Sequence, residues 1–311
     1  MRVGLLGTGP WAQRVHAPAL AAHPGVEFAG VWGRRAQAAQ ELAAAHGVPA
    51  HRDLDQLLGA VDAVSVALPP DVQPALAVRA AGAGCHLLLD KPVAMDVEAA
   101  QAVVAAVERA RVASRVFFTL RFDEGQARWV REQAAAGGWF TADARWLSAV
   151  FSSGDSPYAA SPWRRERGPL WDVGPHALSV LLPVLGPVER ITAARGAGDT
   201  VHLVLRHAGG ASSTAHLSMT APPKAAEMAV ELRGEQGVTA IPSPTAGPGA
   251  AFHRALDELL AAAAAAAAGG ADPVADPCDA AFGLRVVRLD AAAEHALEPG
   301  CGVPVADHPV G

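Results

Sequence analysis

Lysine is nearly absent from this chain of 311 residues. Lys91 and Lys224 are its only two lysines, and arginine fills the remaining positions among the 25 basic residues. An arginine stays protonated at any working pH, whereas a buried lysine can shift its pKa and exchange a proton. Lys91 follows Leu87-Leu88-Leu89-Asp90, where a predicted strand ends at a charge pair. Lys91 is therefore a candidate for chemistry, and a salt bridge with Asp90 is the alternative.

Cysteine and long apolar runs are also scarce. Cys85, Cys278 and Cys301 are odd in number, far apart and without a C-x-x-C pair, so we expect neither a disulfide framework nor a zinc site. Residues 259–268 form the longest apolar stretch, which is mostly alanine and about half as long as a membrane span. The first strand-like residues begin at Arg2, which leaves no room for a secretion signal. We expect a cytoplasmic protein with no membrane partner.

The charge balance argues against a nucleic-acid partner. The formal net charge is −6, and the tight basic cluster Arg164-Arg165-Glu166-Arg167 is interrupted by an acid. Binding to a phosphate backbone requires a dense basic surface. The histidines form no ligand cluster, and no H-E-x-x-H or paired acidic motif occurs. We therefore expect no metal requirement.

The order of predicted elements indicates two domains, because 311 residues exceed the usual size of one hydrophobic core. In residues 1–120, β-rich runs alternate with alanine-rich helical stretches, which is typical of βαβ units around a parallel sheet. The predicted strands span residues 3–6, 26–32, 63–68, 86–89 and 116–120. In residues 121–311, successive strands without intervening helices predict an α+β domain with a large, mostly antiparallel sheet that is open on one face. Two alanine-rich helices near the end, about 252–268 and 276–298, would pack on or beside this sheet.

A glycine-rich turn follows the first strand and begins a helix. In Gly7-Thr8-Gly9-Pro10-Trp11-Ala12, Gly7 permits the tight turn, Gly9 lets the backbone approach a pyrophosphate, and Ala12 keeps helix and strand close. The amide groups at the helix start would face the negative charge. This placement indicates a doubly wound Rossmann domain that binds a dinucleotide.

The end of the second predicted strand bears on the choice of cofactor. An NAD site usually places Asp or Glu there to hold the ribose hydroxyls. This chain has Arg34 and Arg35 instead. A pair of guanidinium groups suits the additional phosphate of NADP, so the sequence favours NADP, with NAD possible.

Four segments in order resemble the glucose-fructose oxidoreductase, inositol dehydrogenase and MocA family. They are the glycine-rich turn, Leu68-Pro69-Pro70, Asp90-Lys91-Pro92 and Asp172-Val173-Gly174-Pro175-His176. The resemblance extends over nearly the whole chain, including Gly302-Val303-Pro304-Val305. It implies that Leu68, Pro69, Asp90 and Lys91 border the cofactor. It also implies association into a homodimer or homotetramer through the open sheet face.

The resemblance also implies the catalytic groups. Lys91 corresponds to the family's catalytic lysine, and Asp172 and His176 correspond to its acidic and histidine partners. These residue types suit alcohol oxidation, because His can accept the hydroxyl proton and Lys can stabilise the developing charge on oxygen. Structural alternatives remain, with Asp172 as a residue of the helix start and His176 as an ordinary core histidine.

Three positions depart from the family pattern. Asp90 replaces the usual Glu, Thr119 stands where many members have Asn, and Gln73 replaces a frequent His. The exchange at Thr119 leaves recognition of the nicotinamide amide open, whereas we expect little effect from Gln73. None of the three removes a proton-transfer group.

On the substrate side, Trp163 could stack on a sugar ring, Arg164 could hold a carboxylate or phosphate, and Arg121 is a further candidate. An ordinary surface loop is the alternative for Trp163 and Arg164. Tyr158 is the only tyrosine, and Pro162 follows it at the fourth position, which excludes the Tyr-x-x-x-Lys pair of short-chain dehydrogenases.

The sequence thus predicts hydride transfer between a nicotinamide cofactor and a carbinol or keto carbon of a sugar, cyclitol or related polyol. Two alternatives stay open. One is a cofactor-binding regulator of the same fold without catalysis. The other is a reductase of a different substrate, such as an imine, a dihydrodiol or a nucleotide-linked ketosugar.

Overall fold

The structure is a computed structural model that describes residues 1–154 and 156–298. Cys301 and the segment Gly302-Val303-Pro304-Val305 lie outside the described residues. The strands are β1 Arg2–Leu6, β2 Glu27–Trp32, β3 Ala50–His51, β4 Ala63–Val66, β5 His86–Leu89, β6 Ser114–Val116, β7 Trp139–Leu147, β8 Val188–Arg195, β9 Val201–His207, β10 Ser212–Ser218, β11 Glu227–Gly234 and β12 Gly237–Ala240.

Helices connect most of these strands. A π-helical turn, Ala12–His16, leads into the first helix, and a 3₁₀ turn, Pro223–Ala225, precedes β11. The α-helices are α1 Ala17–Ala22, α2 Ala36–Ala45, α3 Leu54–Leu58, α4 Gln73–Gly82, α5 Val97–Ala110, α6 Thr119–Phe122, α7 Glu124–Ala136, α8 Pro162–Asp172, α9 Gly174–Leu185, α10 Pro248–Ala267 and α11 Ala280–Ala296.

The first sheet has the order β3-β2-β1-β4-β5-β6, and all of its strand pairs are parallel. This is the doubly wound order of a Rossmann domain, so the predicted fold class is confirmed. Its central strands β1 and β4 are buried except at Arg2, because helices cover both faces. The strand order reverses between β1 and β4, where the carboxyl ends of these strands leave a crevice for a ligand.

The last strand of this sheet is shorter than predicted. The sequence indicated a strand over residues 116–120, but β6 ends at Val116 and Thr119–Phe122 forms α6. After Phe117 donates a backbone hydrogen bond to the Leu89 carbonyl at 2.8 Å, the chain turns out of the sheet. A short buried apolar run has the same pattern in a strand and in a helix, which explains the error.

The second sheet has the order β12-β11-β7-β10-β9-β8 and is antiparallel except for the parallel pair β7–β10. Its mostly antiparallel character was predicted, whereas β8, β12 and helix α8 were not. One face packs against helices α8, α9 and α11. The other face carries side chains such as Val204, which is 51% exposed.

The last two long helices reach back to the first sheet. Helix α10 contacts α1, β5 and β6, and α11 contacts α5 and β6 as well as β8. The expectation that both helices pack on or beside the second sheet holds for α11, which contacts β8, and is wrong for α10, which packs mainly against the first sheet. Arg115 in β6 is fully buried and pairs with Glu258 of α10 at 3.2 Å and with Asp272 at 2.8 Å. This ion-pair cluster ties the end of the chain to the first sheet.

Residues 1–154 and 156–298 contain neither a helix suited to span a membrane nor a cluster of metal ligands. No helix there combines the length and the apolar character that a membrane span requires. No group of three or more His, Cys, Asp or Glu side chains in those ranges is placed to hold a metal ion.

Candidate active site

The glycine-rich turn lies at the crevice between β1 and β4. Gly7 has a φ of +127°, and a Cβ atom there would lie 2.2 Å from the Ala67 carbonyl oxygen. Only glycine fits this close approach of two strand ends. A Cβ at Gly9 would meet no atom within 4 Å, so its backbone borders open space. Thr8 and Ala12 are buried beneath the turn.

A cavity of about 520 Å³ extends from this turn. Gly9, Pro10, Trp11, Leu68, Pro69 and Arg35 border one side of it. Lys91 and Asp90 border its inner end, and the segment 157–164 lies opposite. The volume and the open backbone at Gly9 fit a dinucleotide. Arg34 is exposed and does not border this cavity, whereas Arg35 does.

Gln73 holds the turn that carries Lys91. Its side-chain amide donates to the carbonyl groups of Asp90 at 2.7 Å, Pro92 at 3.1 Å and Val93 at 3.2 Å, and its oxygen accepts from the Asp90 amide at 3.0 Å. Gln73 is 1% exposed. A glutamine amide can donate and accept at once, which suits this position. This role contradicts the expectation that the exchange of His for Gln73 has little effect.

Lys91, Asp172 and His176 meet at the inner end of the cofactor cavity. The Lys91 ammonium group donates to the Asp172 carboxylate at 3.0 Å and to the Asp172 carbonyl oxygen at 2.6 Å. His176 stacks on Trp146, with ring centres 4.5 Å apart and an interplanar angle of 14°. The three side chains border one cavity of about 180 Å³, which adjoins the cofactor cavity at Trp11 and Lys91.

The junction of α8 and α9 places Asp172 and His176. Asp172 ends α8, and Pro175 lies in the first turn of α9 just before His176. A Cβ at Gly174 would lie 3.3 Å from a carboxylate oxygen of Asp290 in α11, so α9 and α11 approach closely at this glycine. The Asp172 side chain makes no cap to α9 and instead binds Lys91, which disfavours the helix-start alternative.

Burial and neighbouring charges set the protonation states. Burial favours a higher pKa for Asp172, but Lys91 and Arg164 outweigh this effect and lower it to about 2. Burial, with a further contribution from Lys91, lowers the pKa of His176 well below its usual value. Burial raises the pKa of Asp90 to about 6, although Lys91 opposes the rise. Near neutral pH the site therefore holds an ionised Asp172 and a neutral His176.

The residues predicted for the substrate side separate into three places. Arg164 borders the small cavity, donates to Asp172 at 3.0 Å, and lies over the rings of Trp163 at 4.5 Å and Tyr158 at 5.2 Å. Trp163 borders the cofactor cavity and not the small cavity. Arg121 is not brought to either cavity, because it donates to Asp276 at 3.1 Å and to the Ser179 carbonyl oxygen at 3.2 Å.

Several residues of the small cavity were not identified from sequence. Phe117, Trp146, Ser148 and Val150 border it, together with Thr119. Trp146 follows Ala142 and Ala144 on the inner face of β7. This alternation indicates an inward-facing aromatic residue but does not reveal what it faces.

The comparisons with known proteins agree with this geometry. Residues 1–118 match the family model described as an oxidoreductase family with an NAD-binding Rossmann fold, and residues 141–240 match the C-terminal domain model of the same family. The chain belongs to the GFO/IDH/MocA oxidoreductase family. Together the two models cover more than half of the chain.

Two curated relatives match parts of the chain. A UDP-N-acetylglucosamine 3-dehydrogenase of Acidithiobacillus ferrooxidans is 39% identical over 104 residues, which are 33% of this chain and 32% of the relative. A dTDP-3,4-didehydro-2,6-dideoxy-alpha-D-glucose 3-reductase of Streptomyces violaceoruber is 32% identical over 209 residues, which are 65% of this chain and 59% of the relative. The chain thus matches less than two thirds of the length of each relative.

A solved structure shows the same fold over nearly the whole length. Levoglucosan dehydrogenase in complex with NADH and levoglucosan superposes with a TM-score of 0.79 and covers 95% of this chain and 96% of its own. The sequence identity is 20%, so this likeness shows the shared fold alone.

Proposed function

We propose that this protein is a nicotinamide-dependent oxidoreductase that acts on a sugar, cyclitol or related polyol. Hydride passes between the nicotinamide and a carbinol or keto carbon of the substrate. The observation that carries the proposal is the meeting of Lys91, Asp172 and His176 around a cavity of about 180 Å³ that adjoins the dinucleotide cavity. Membership in an oxidoreductase family with sugar and inositol dehydrogenases among the relatives supports it.

Each of the three residues has a distinct part in the proposed reaction. When bound, the nicotinamide supplies the hydride acceptor or donor. Two of the three ammonium N–H groups of Lys91 bind Asp172, and the third is left for the substrate oxygen. Neutral His176 accepts the hydroxyl proton through Nε2, because its Nδ1 is buried. The Asp172 carboxylate accepts a hydrogen bond from a neighbouring substrate hydroxyl.

The two lysines provide a matched test. Replacing Lys91 with Met removes the donor to the substrate oxygen, so kcat/KM over a panel of hexoses and inositols should fall by about 10²- to 10⁴-fold. Cofactor affinity, measured by calorimetry, should change little. Lys224→Met alters an exposed lysine and should leave both quantities unchanged.

Unaltered turnover in Lys91→Met would contradict the assignment. Cofactor binding by the wild-type protein without turnover of any panel member would favour the regulator over the enzyme.

We further propose a preference for NADP over NAD. Support comes from Arg35, which follows β2 and borders the dinucleotide cavity. The end of β2 carries no Asp or Glu that could hold the ribose hydroxyls. Arg35→Ala should weaken NADPH binding by about tenfold, as expected for a charge-assisted hydrogen bond, and leave NADH binding unchanged. Arg34→Ala is the matched control, because Arg34 does not border the cavity. Tighter binding of NADH than of NADPH by the wild-type protein would end this proposal.

We also propose a homo-oligomer joined through the open face of the second sheet, as the family resemblance implies. The helices α8, α9 and α11 pack on the other face, and Val204 of β9, on the open face, is 51% exposed. Val204→Asp should shift the mass in analytical ultracentrifugation toward the monomer. A wild-type protein that sediments as a monomer at micromolar concentration would contradict the proposal.

A further inference from the structure

A third cavity continues the active site away from the cofactor. It has a volume of about 630 Å³ and shares Trp11, Thr119, Trp146, Ser148 and His176 with the small cavity. We call it the outer cavity. The end of β7, the start of α7, the start of β11 and the start of α10 form its walls. The proposed reacting centre thus lies between the dinucleotide and a larger space.

The volumes indicate that a substrate larger than one ring is bound. A protein cavity of about 150 Å³ holds a benzene molecule. The small cavity, at about 180 Å³, therefore has room for one six-membered ring. The outer cavity is more than three times as large, and a group attached to the reacting ring could enter it past Trp146 and Trp11.

The walls of the outer cavity are apolar and acidic. Leu120, Leu147 and Met228 supply apolar surface. Its two ionisable acids are Asp123 and Glu227, and no lysine or arginine from residues 1–154 and 156–298 borders it. A phosphate group in this space would meet two acidic side chains and no basic one.

The Asp123 carboxylate lies beside the start of helix α10 at this cavity and offsets the partial positive charge of that helix end. Helix α10 starts at Pro248, and the N-terminus of a helix can attract an anion. However, the Asp123 carboxylate accepts hydrogen bonds from the Thr245 amide at 3.0 Å and the Ala246 amide at 3.4 Å, directly before that helix. These bonds and the Gln126 amide outweigh burial and lower the pKa of Asp123, so it stays ionised. The helix start is therefore unsuited to a substrate phosphate.

We propose that the outer cavity binds an uncharged, ring-containing substituent of the substrate, which makes neutral glycosides with an apolar aglycone the preferred class over nucleoside diphosphate sugars. This inference rests on the proposed function. The reacting sugar ring occupies the small cavity beside His176, and the aglycone lies between Trp146 and Met228 in the outer cavity.

The test compares matched triplets of substrates. Each triplet contains a free hexose, its phenyl glycoside and its UDP glycoside, for glucose, galactose and N-acetylglucosamine. For the hexose that is turned over, burial of the phenyl ring should raise kcat/KM about 10- to 100-fold above that of the free sugar. The UDP glycoside should be the poorest member of the triplet. Equal or faster turnover of the UDP glycoside would overturn the inference while leaving the proposed function intact.

Variants at the outer cavity test whether the advantage of the phenyl glycoside arises there. Met228→Trp fills the outer cavity from β11 and should remove the kcat/KM advantage of the phenyl glycoside over the free hexose. Ala226→Trp adds the same indole at the exposed rim and serves where Met228→Trp does not fold. Val238→Trp is the control, because Val238 is 62% exposed on β12 and does not border the cavity. An unchanged phenyl preference in both cavity variants would overturn the inference.

A binding measurement separates the two proposals. The proposed function fails if neither a hexose nor an inositol is turned over. In that case titration calorimetry of the cofactor-loaded protein with the three phenyl glycosides still tests the cavity. At least one should bind to the wild-type protein and more weakly to Met228→Trp or Ala226→Trp. The inference would be overturned on its own if the wild-type protein bound no phenyl glycoside. It would also be overturned if both variants bound the phenyl glycosides as tightly as the wild-type protein does.

Discussion

Lys91 and Arg115 are both buried basic residues, and they lie at adjacent strands of the first sheet. Lys91 follows β5, and Arg115 lies in β6. Arg115 is fully enclosed, and its Nε and both terminal nitrogens donate to Glu258, Asp272 and the Ser114 carbonyl oxygen. The Lys91 side chain keeps 10% of its surface exposed to a cavity and pairs with the Asp172 side chain.

The environments of Arg115 and Lys91 favour different side chains. The site of Arg115 offers carboxylates on several sides, and the fixed planar donors of a guanidinium group can satisfy them all. The site of Lys91 borders a space for substrate and uses a compact charge with one donor to spare. The near absence of lysine from the chain is therefore informative at residue 91, because an arginine there would keep the charge but lose the compact donor that is left for the substrate oxygen.

Exchanging the two residue types should have the largest effect at Lys91. We expect Lys91→Arg to lower kcat/KM by roughly 10²-fold, because the larger planar guanidinium group cannot place its donor where the compact Lys91 ammonium group binds the substrate oxygen. The reciprocal change, Arg115→Lys, should leave kcat/KM near the wild-type value. Steady-state kinetics on the best substrate of the panel would measure both. Retention of a tenth or more of wild-type activity by Lys91→Arg would mean that a fixed positive charge suffices at this position.

Removing the charge at Arg115 should mainly affect stability. Arg115→Met leaves Glu258 and Asp272 without their cation, and breaking a buried ion pair costs about 3–5 kcal/mol. We expect a decrease of this size in the free energy of unfolding, measured in urea, with the cofactor affinity of the folded fraction unchanged.

The surface pair Arg79–Asp55 supplies the control for that measurement. Its side chains are 50% and 71% exposed, and exposed ion pairs contribute less than about 1 kcal/mol. Arg79→Met should therefore change the unfolding free energy by less than that amount. Equal losses in both arginine variants would show that the Arg115 cluster does not hold the C-terminal helices on the first sheet.

The same contrast explains how much the sequence could predict. The bounds of β5 agree with the predicted strand over residues 86–89, because this strand depends on a local apolar run. Lys91 could be singled out because it stands in a local motif. The cluster of Arg115 could not, because Asp272 lies 157 residues further along the chain. Nothing near either residue indicates that they meet.

The candidate site shows the same division. Short motifs were enough to propose Lys91, Asp172 and His176 as catalytic, whereas Trp146 was missed because its position depends on the pairing of β7 with β10. This pair is parallel, although successive strands favoured an antiparallel neighbour. The start of α10 reaches the outer cavity because α10 packs against the first sheet, whereas Met228 reaches it from β11 of the second sheet. Residues that line cavities from distant segments carry no local pattern.

Asp290 extends the comparison to a buried acid without a basic partner. Neither of its carboxylate oxygens has a hydrogen-bond partner among the described residues, and burial raises its pKa well above the usual value. Below about pH 4 the group is protonated in both the folded and the unfolded chain. As the pH rises further, the unfolded chain releases this proton first. The free energy of unfolding should therefore fall by up to about 1.4 kcal/mol per pH unit until the pH passes the raised pKa.

The variant Asp290→Asn isolates this contribution, because it keeps the shape of the side chain and cannot ionise. Relative to the wild-type protein, it should gain stability on the order of 1 kcal/mol between pH 4.5 and 5.5 in urea unfolding. Asp71→Asn, at an exposed position, should show no such trend. A constant difference between Asp290→Asn and wild type across this range would mean that Asp290 is ionised in the folded protein, with Lys91 near enough to stabilise its charge. In that case Lys91 would resemble Arg115 in serving two acids at once.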